Sequence, residues 1–133
     1  MARYDKYEPL SGGHRAPLAA DWLEADLNKV IGVGLNGSGQ VVKGAGNTGV
    51  IGALVLTKIV KAGKVVDVMQ DGEIVEMNIN HAGIVAGTNY YFDAAGALTA
   101  VVPASGVNGV RAGYTCEATR LIVRCGFTQG AGL

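Results

Sequence analysis

The sequence predicts an all-β protein: a small single-domain barrel or sandwich of short antiparallel strands behind an extended N-terminal arm. Three observations predict it. Glycine supplies 21 of the 133 residues against only three prolines, about twice the usual glycine share. Apolar residues reach 49% while charged ones stay at 17%, so glycine scattered among Val, Ile and Thr signals strands and tight turns rather than a solvated chain. Turn signals recur about every ten residues, the spacing of a small barrel or sandwich. At this length one domain is expected, able to bury roughly two thirds of the surface that the unfolded chain exposes.

Residues 1–20 form the arm. They hold Pro9, Pro17 and the Gly12-Gly13 pair, and they interleave Tyr4 and Tyr7 with Arg3, Asp5, Lys6 and Glu8. No helical or strand period runs through them. They read either as a frayed terminus or as an arm that orders against a neighbouring subunit, with the tyrosines as anchors. The domain then spans 21–133. Asp21 to Asn28 fits two turns of helix, with Asp21 as cap and Glu24 three residues on, and equally an irregular strand. On either reading Trp22 plugs the core or covers its edge.

From Lys29 the chain becomes a series of short strands. Val30 to Leu35 is apolar, Asn36-Gly37-Ser38-Gly39 turns the chain, and Gln40 to Lys43 returns it; Asn-Gly between apolar runs is a strong hairpin signal. A second turn over Gly44 to Gly49 leads to a strand over Val50 to Ile59. Ala62-Gly63 turns into Lys64 to Met69, and Gln70-Asp71-Gly72 is expected to turn again into Glu73 to Ile79. There Val75, Met77 and Ile79 share one face and Glu76 and Asn78 the other, the alternation of a half-buried antiparallel strand. Further strands are expected over Asn89 to Asp93, Ala97 to Val102, Ala112 to Thr115 and Thr119 to Cys125, with turns at Ala94 to Gly96 and Pro103 to Asn108.

Composition narrows the function classes. Eleven basic residues balance eleven acidic ones, which argues against nucleic-acid binding through phosphate neutralisation and suits a protein that associates with others. No apolar run is long enough for a transmembrane span, and the mixed, aromatic N-terminus lacks the apolar stretch of a secretory signal. Cys116 and Cys125 are accordingly expected as free thiols. A hairpin centred between Arg120 and Leu121 would make them face each other, but Arg-Leu is a poor two-residue turn.

The chemistry-bearing residues form no constellation. Gly32-Val-Gly34-Leu-Asn-Gly37 matches a dinucleotide fingerprint on paper, yet a turn and a strand follow where a helix must open, with no acid about 20 residues on. His14 and His81 have no partner at metal-ligand spacing, and the cysteines lack that of a zinc site. Asp67, Asp71, Glu73, Glu76 and Asp93 are acids of strands and turns, with no third group placed to shift one of them. Ser11, Ser38 and Ser105 lie among glycines outside any nucleophile-elbow motif. A lipoyl- or biotinyl-carrier reading would need Lys at the hairpin tip, where Gln70 stands. No catalytic residue, cofactor or metal is expected.

One likeness covers most of the chain. Lys29-Val-Ile-Gly-Val-Gly-Leu-Asn36, Val41-Val-Lys-Gly-Ala-Gly46, Val50-Ile-Gly-Ala-Leu-Val-Leu56 and Ala62-Gly-Lys-Val-Val-Asp-Val-Met69 come first, followed by Gly72-Glu-Ile-Val75, Ala86-Gly-Thr-Asn-Tyr-Tyr91, Gly96-Ala-Leu-Thr99 and Ala118-Thr-Arg-Leu-Ile-Val123. In these segments the sequence resembles the small head decoration proteins of tailed bacteriophages, particularly phages of actinobacteria. The resemblance implies a compact β domain on the outer capsid surface of a virion, often a homotrimer, that clamps neighbouring major capsid subunits and performs no chemistry. An interface of this kind is energised by a few aromatic and arginine anchors. Arg3, Tyr4, Tyr7, Arg15 and Trp22 are the candidates. The alternative is a host- or carbohydrate-binding module of a phage particle, which needs exposed aromatics on one face. Only Tyr90, Tyr91 and Phe92 compete for that role, and alternation sends Tyr91 opposite to its neighbours.

Overall fold

In the computed structural model, residues 12–76, 84–101 and 110–127 are described. They form nine strands: β1 Gly12–Pro17, β2 Ile31–Leu35, β3 Val41–Lys43, β4 Gly52–Leu54, β5 Val65–Glu76, β6 Asn89–Phe92, β7 Leu98–Thr99, β8 Val110–Glu117 and β9 Arg120–Phe127. All belong to one curled antiparallel sheet that makes a half-barrel. The order is β3-β2-β4-β5-β9-β8-β6-β7, with β1 joined to β5. The all-β expectation therefore holds.

Two hydrophobic clusters fill the curl. One gathers Leu18, Trp22, Ile31, Val33, Val41, Leu54, Val66 and Val68. The other gathers Ala53, Val75, Tyr90, Phe92, Val110, Ala112, Leu121 and Val123. Ala53 and Leu54 are adjacent on β4 yet point into different clusters, so this part of the sheet is covered on both faces. That is why Val30 to Leu35 and Val50 to Leu56 read as continuous apolar runs rather than alternating ones. On β2, Gly32 lies against the Phe92 ring; a Cβ there would sit 2.6 Å from Phe92 Cγ. The residue is glycine because the second cluster reaches the backbone at this point.

Several elements differ from the sequence reading. The arm expected over 1–20 is sheet from Gly12 onward: β1 pairs residue by residue with β5, and Ala16 and Leu18 are buried. Its hydrogen bonds come from a distant partner strand, and Pro17 is tolerated at the strand end. Between Asp21 and Asn28 the chain makes only a 3-10 turn, Glu24–Asp26. Asp21 does not cap it; its carboxylate accepts from the Ala62 N–H, 2.8 Å away. The strand expected over Val50 to Ile59 shrinks to Gly52–Leu54, and that over Ala97 to Val102 to Leu98–Thr99.

The largest difference concerns residues 70–72. They are no hairpin turn: β5 runs straight through as one twelve-residue strand with an irregularity between Asp71 and Ile74. Its first half is held by β1 and its second half by β9. Because both halves find partners elsewhere, they have no need to fold back on each other. The expected alternation survives at Val75, which is buried; Met77 and Ile79 lie outside the described residues.

Candidate interaction surface

The β5–β9–β8–β6 region covers the Phe92 cluster with one face and presents the other outward. Leu121, Val123, Ala112, Thr115, Tyr90 and Phe92 point inward and are buried. By alternation their neighbours Arg120, Ile122 and Arg124 on β9, and Asn89 and Tyr91 on β6, point outward. Strand β8 adds Arg111 and Tyr114 to the same face because it bulges. At Gly113 the φ is +151° and a Cβ would lie 2.0 Å from the Ile122 carbonyl oxygen, so only glycine fits. The extra residue leaves both Ala112 and Gly113 buried and returns Tyr114 to the outer side.

Cross-strand pairing assembles these side chains into rows. Ile74 pairs with Ile122, Ile122 with Tyr114, and Tyr114 with Asn89. In the neighbouring row Arg111 pairs with Tyr91, and Tyr91 with Thr99. Ile74 is 63% exposed; Ile122, Tyr114, Tyr91 and Arg111 are half-buried. The Arg111 guanidinium lies 5.9 Å from the Tyr114 ring centroid and donates to Asn89 Oδ1 over 2.9 Å. Its Nε is buried without a hydrogen-bond partner among the described residues, a cost of about 1–3 kcal/mol that a freely solvated arginine avoids. Arg111 is instead placed over the Tyr114 ring, within cation–π range. Beside it Arg124 pairs with Asp71 at 2.8 Å, and Arg120 lies 3.8 Å from Glu117.

The residues singled out in the sequence are distributed differently. Arg3, Tyr4 and Tyr7 lie outside the described residues, as do Ser11, His81 and Ser105. Arg15 stands on the outer side of β1, its Nε paired with Asp67 Oδ1, both side chains about half exposed. Trp22 is 4% exposed and sits in the first cluster, its indole N–H donating to the Asp26 carbonyl over 3.3 Å. It is a core residue, with little surface left to offer a partner. Tyr91 does point away from Tyr90 and Phe92, and Tyr114 is the aromatic that joins it. Strict alternation would have set Arg111 and Tyr114 on opposite faces; the bulge reverses that.

Asp93 and the turn that holds Ser38 are organised by local hydrogen bonds. Asp93 accepts from the Ala95 and Ala97 N–H groups and shapes the β6–β7 turn, and Ser38 lies in the turn organised by the Asn36 carboxamide. Two open clefts of about 300 and 200 Å³ flank the Asp26–Lys43 ion pair, which measures 2.6 Å. No three His, Cys, Asp or Glu side chains cluster to hold a metal ion among the described residues. Both cysteines are free. The β8–β9 turn falls at Ala118-Thr119, before the Arg120-Leu121 centre that would have paired them. Cys116 is exposed, while Cys125 packs beside the Met69 and Ala112 carbonyls and burial pushes its thiol up to about 12.

Comparison with known proteins locates the fold. No protein-family model matches the chain, and no curated protein does. The chain is similar in fold to a solved structure from Mycobacterium phage Patience, at a TM-score of 0.70 and 21% sequence identity, with 96% of this chain and 97% of that chain covered.

Proposed function

We propose that this protein is a non-catalytic structural component of a phage particle, which binds the outer capsid surface and stabilises it by clamping neighbouring major capsid subunits. The observation that carries this reading is the outward face built from Ile74, Ile122, Tyr114, Tyr91 and Arg111. Tyrosine and arginine are residue types that anchor interfaces: tyrosine supplies large contact area at low rotamer cost, and arginine supplies directed hydrogen bonds. Here they stand on paired strands, already oriented, so binding orders little. The fold shared with a protein of a mycobacteriophage, and the resemblance of residues 29–123 to head decoration proteins, support the same assignment. Repetition around a shell makes modest individual contacts effective. Binding of Tyr114→Ala to expanded shells that lack the protein tests the reading: anchor loss lowers affinity about tenfold or more, whereas wild-type affinity counts against it.

A second reading has one specific observation in its favour. Tyr91 and Tyr114 share a face with Asn89 and Arg111, the mixture of flat rings and amide or guanidinium donors that suits a glycan. Binding to a panel of bacterial surface polysaccharides, with none to shells, would select that alternative.

A further inference from the structure

The turn between β2 and β3 holds a residue pair with chemistry of its own. An asparagine carboxamide is open to attack by the main-chain nitrogen that follows it. The attack is easiest when the next residue is glycine, because no β-carbon crowds the approach. Of the described asparagines, Asn28, Asn47 and Asn89 precede Lys, Thr and Tyr, and Asn36 alone precedes glycine. Gly37 is exposed at the hairpin tip, so water reaches the pair.

In the folded protein the attack is opposed. The Asn36 N–H donates to the Gln40 carbonyl over 2.9 Å. Asn36 Oδ1 accepts from the Ser38 and Gln40 N–H groups at 2.9 and 3.0 Å, and Nδ2 donates to Gln40 Oε1 at 3.0 Å. Closing a five-membered ring between Cγ and the Gly37 nitrogen requires Cβ and that nitrogen to eclipse about the Asn36 Cα–C bond. This ψ lies outside both the strand and the helical regions of an L-residue. Reaching it turns the chain beyond Asn36 relative to its side chain and to β2, which disrupts every bond just named. The turn must open before the chemistry begins.

We propose that Asn36-Gly37 is a self-modification site, held silent by the folded turn and released when the β2–β3 hairpin opens. The Gly37 nitrogen bonds to Asn36 Cγ as the Cγ–Nδ2 bond breaks. The proton lost by the Gly37 amide passes through solvent to Nδ2, which departs as ammonia. Water then opens the cyclic imide. Opening at Cγ leaves aspartate on the original main chain, whereas opening at the Asn36 main-chain carbonyl gives isoaspartate, with the chain routed through Cβ and Cγ. Aspartate keeps the oxygen acceptors for the Ser38 and Gln40 N–H groups. Isoaspartate adds a main-chain carbon between Leu35 and Val41, which pair across the hairpin. Val33 and Val41 are buried in the first cluster, so a chain altered in this way loses the register that packs them. Local opening of the hairpin is thereby recorded as a covalent change.

The test follows the tryptic segment 30–43, in which Asn36 is the only asparagine, by mass spectrometry during incubation at mildly alkaline pH. Wild type is compared folded and in guanidinium, beside Gly37→Ala and a Gln40→Ala variant whose fold is checked by circular dichroism. Losing several hydrogen bonds to reach the reactive geometry should make conversion of the folded chain about tenfold or more slower than that of the unfolded one. Gly37→Ala should slow the unfolded reaction, and folded Gln40→Ala should convert several-fold faster than folded wild type. Equal rates in folded and unfolded wild type overturn the protection by the turn, and this comparison needs no variant. Absence of conversion at Asn36 in the unfolded chain overturns the site itself. A folded Gln40→Ala that converts no faster than wild type overturns the part assigned to the carboxamide contacts.

Discussion

Single residues carry the most local consequences of this fold. Cys125 is shielded beside two carbonyls and its thiol is held up to about 12, whereas Cys116 is exposed. At neutral pH a maleimide therefore labels Cys116 alone in the folded protein and both cysteines after denaturation. Labelling of both at comparable rates in the native state would contradict the packing of Cys125. The same group sets a pH limit. Its raised value contributes stability that is complete below the ordinary thiol value of 9.0 and lost as pH climbs towards about 12. Asp21 works in the other direction: the Ala62 N–H holds its carboxyl below the usual 3.8. Its contribution is present above 3.8 and disappears as pH falls through the lowered value. Urea midpoints across pH should flatten at the acid end in Asp21→Asn and at the alkaline end in Cys125→Ala. Gly32→Ala drives a methyl into the Phe92 ring and should cost about 1–3 kcal/mol. Phe92→Ala, which empties a fully buried site, should cost about 3–5 kcal/mol. Chemical denaturation measures both.

At the scale of elements, legibility followed how local the determining contact was. The Asn36 turn, the outward Tyr91 of β6 and the existence of strands β8 and β9 were readable, because each is decided by residues near in sequence; the β8–β9 turn at Ala118-Thr119 was not. The continuous β5 was not. Gln70-Asp71-Gly72 has turn chemistry, and only the partners on either half, β1 from residues 12–17 and β9 from 120–127, keep it extended. Strand β1 was hidden for the same reason, since Gly-Gly-His-Arg-Ala-Pro has no period until β5 supplies one. The Tyr114–Arg111 face was invisible because a single bulge at Gly113 undoes the alternation that the sequence suggests. Glycine at that position gives a prediction of its own. Gly113→Ala cannot be accommodated against the Ile122 carbonyl, so the hairpin must shift. The resulting protein should lose shell binding together with about 1–3 kcal/mol of stability. Arg111→Ala and Tyr114→Ala should lose binding alone.

For the whole molecule, two hydrophobic clusters are joined through β2, β4 and β5. This division changes how the N-terminal segment must be tested. Removing residues 1–20 takes away β1 together with Ala16 and Leu18, so the truncated chain should unfold or lose much of its stability. Removing residues 1–11 spares the ladder and isolates any contribution of Arg3, Tyr4 and Tyr7 to binding.

The most direct test of the account mixes the purified wild-type protein with expanded phage shells that lack it. The mixture is separated on a density gradient and the heavy fraction imaged. The account predicts saturable co-migration with the shells, with added density bridging neighbouring capsid subunits, and loss of that density in Arg111→Ala/Tyr114→Ala. Well-folded protein that stays at the top of the gradient would contradict it.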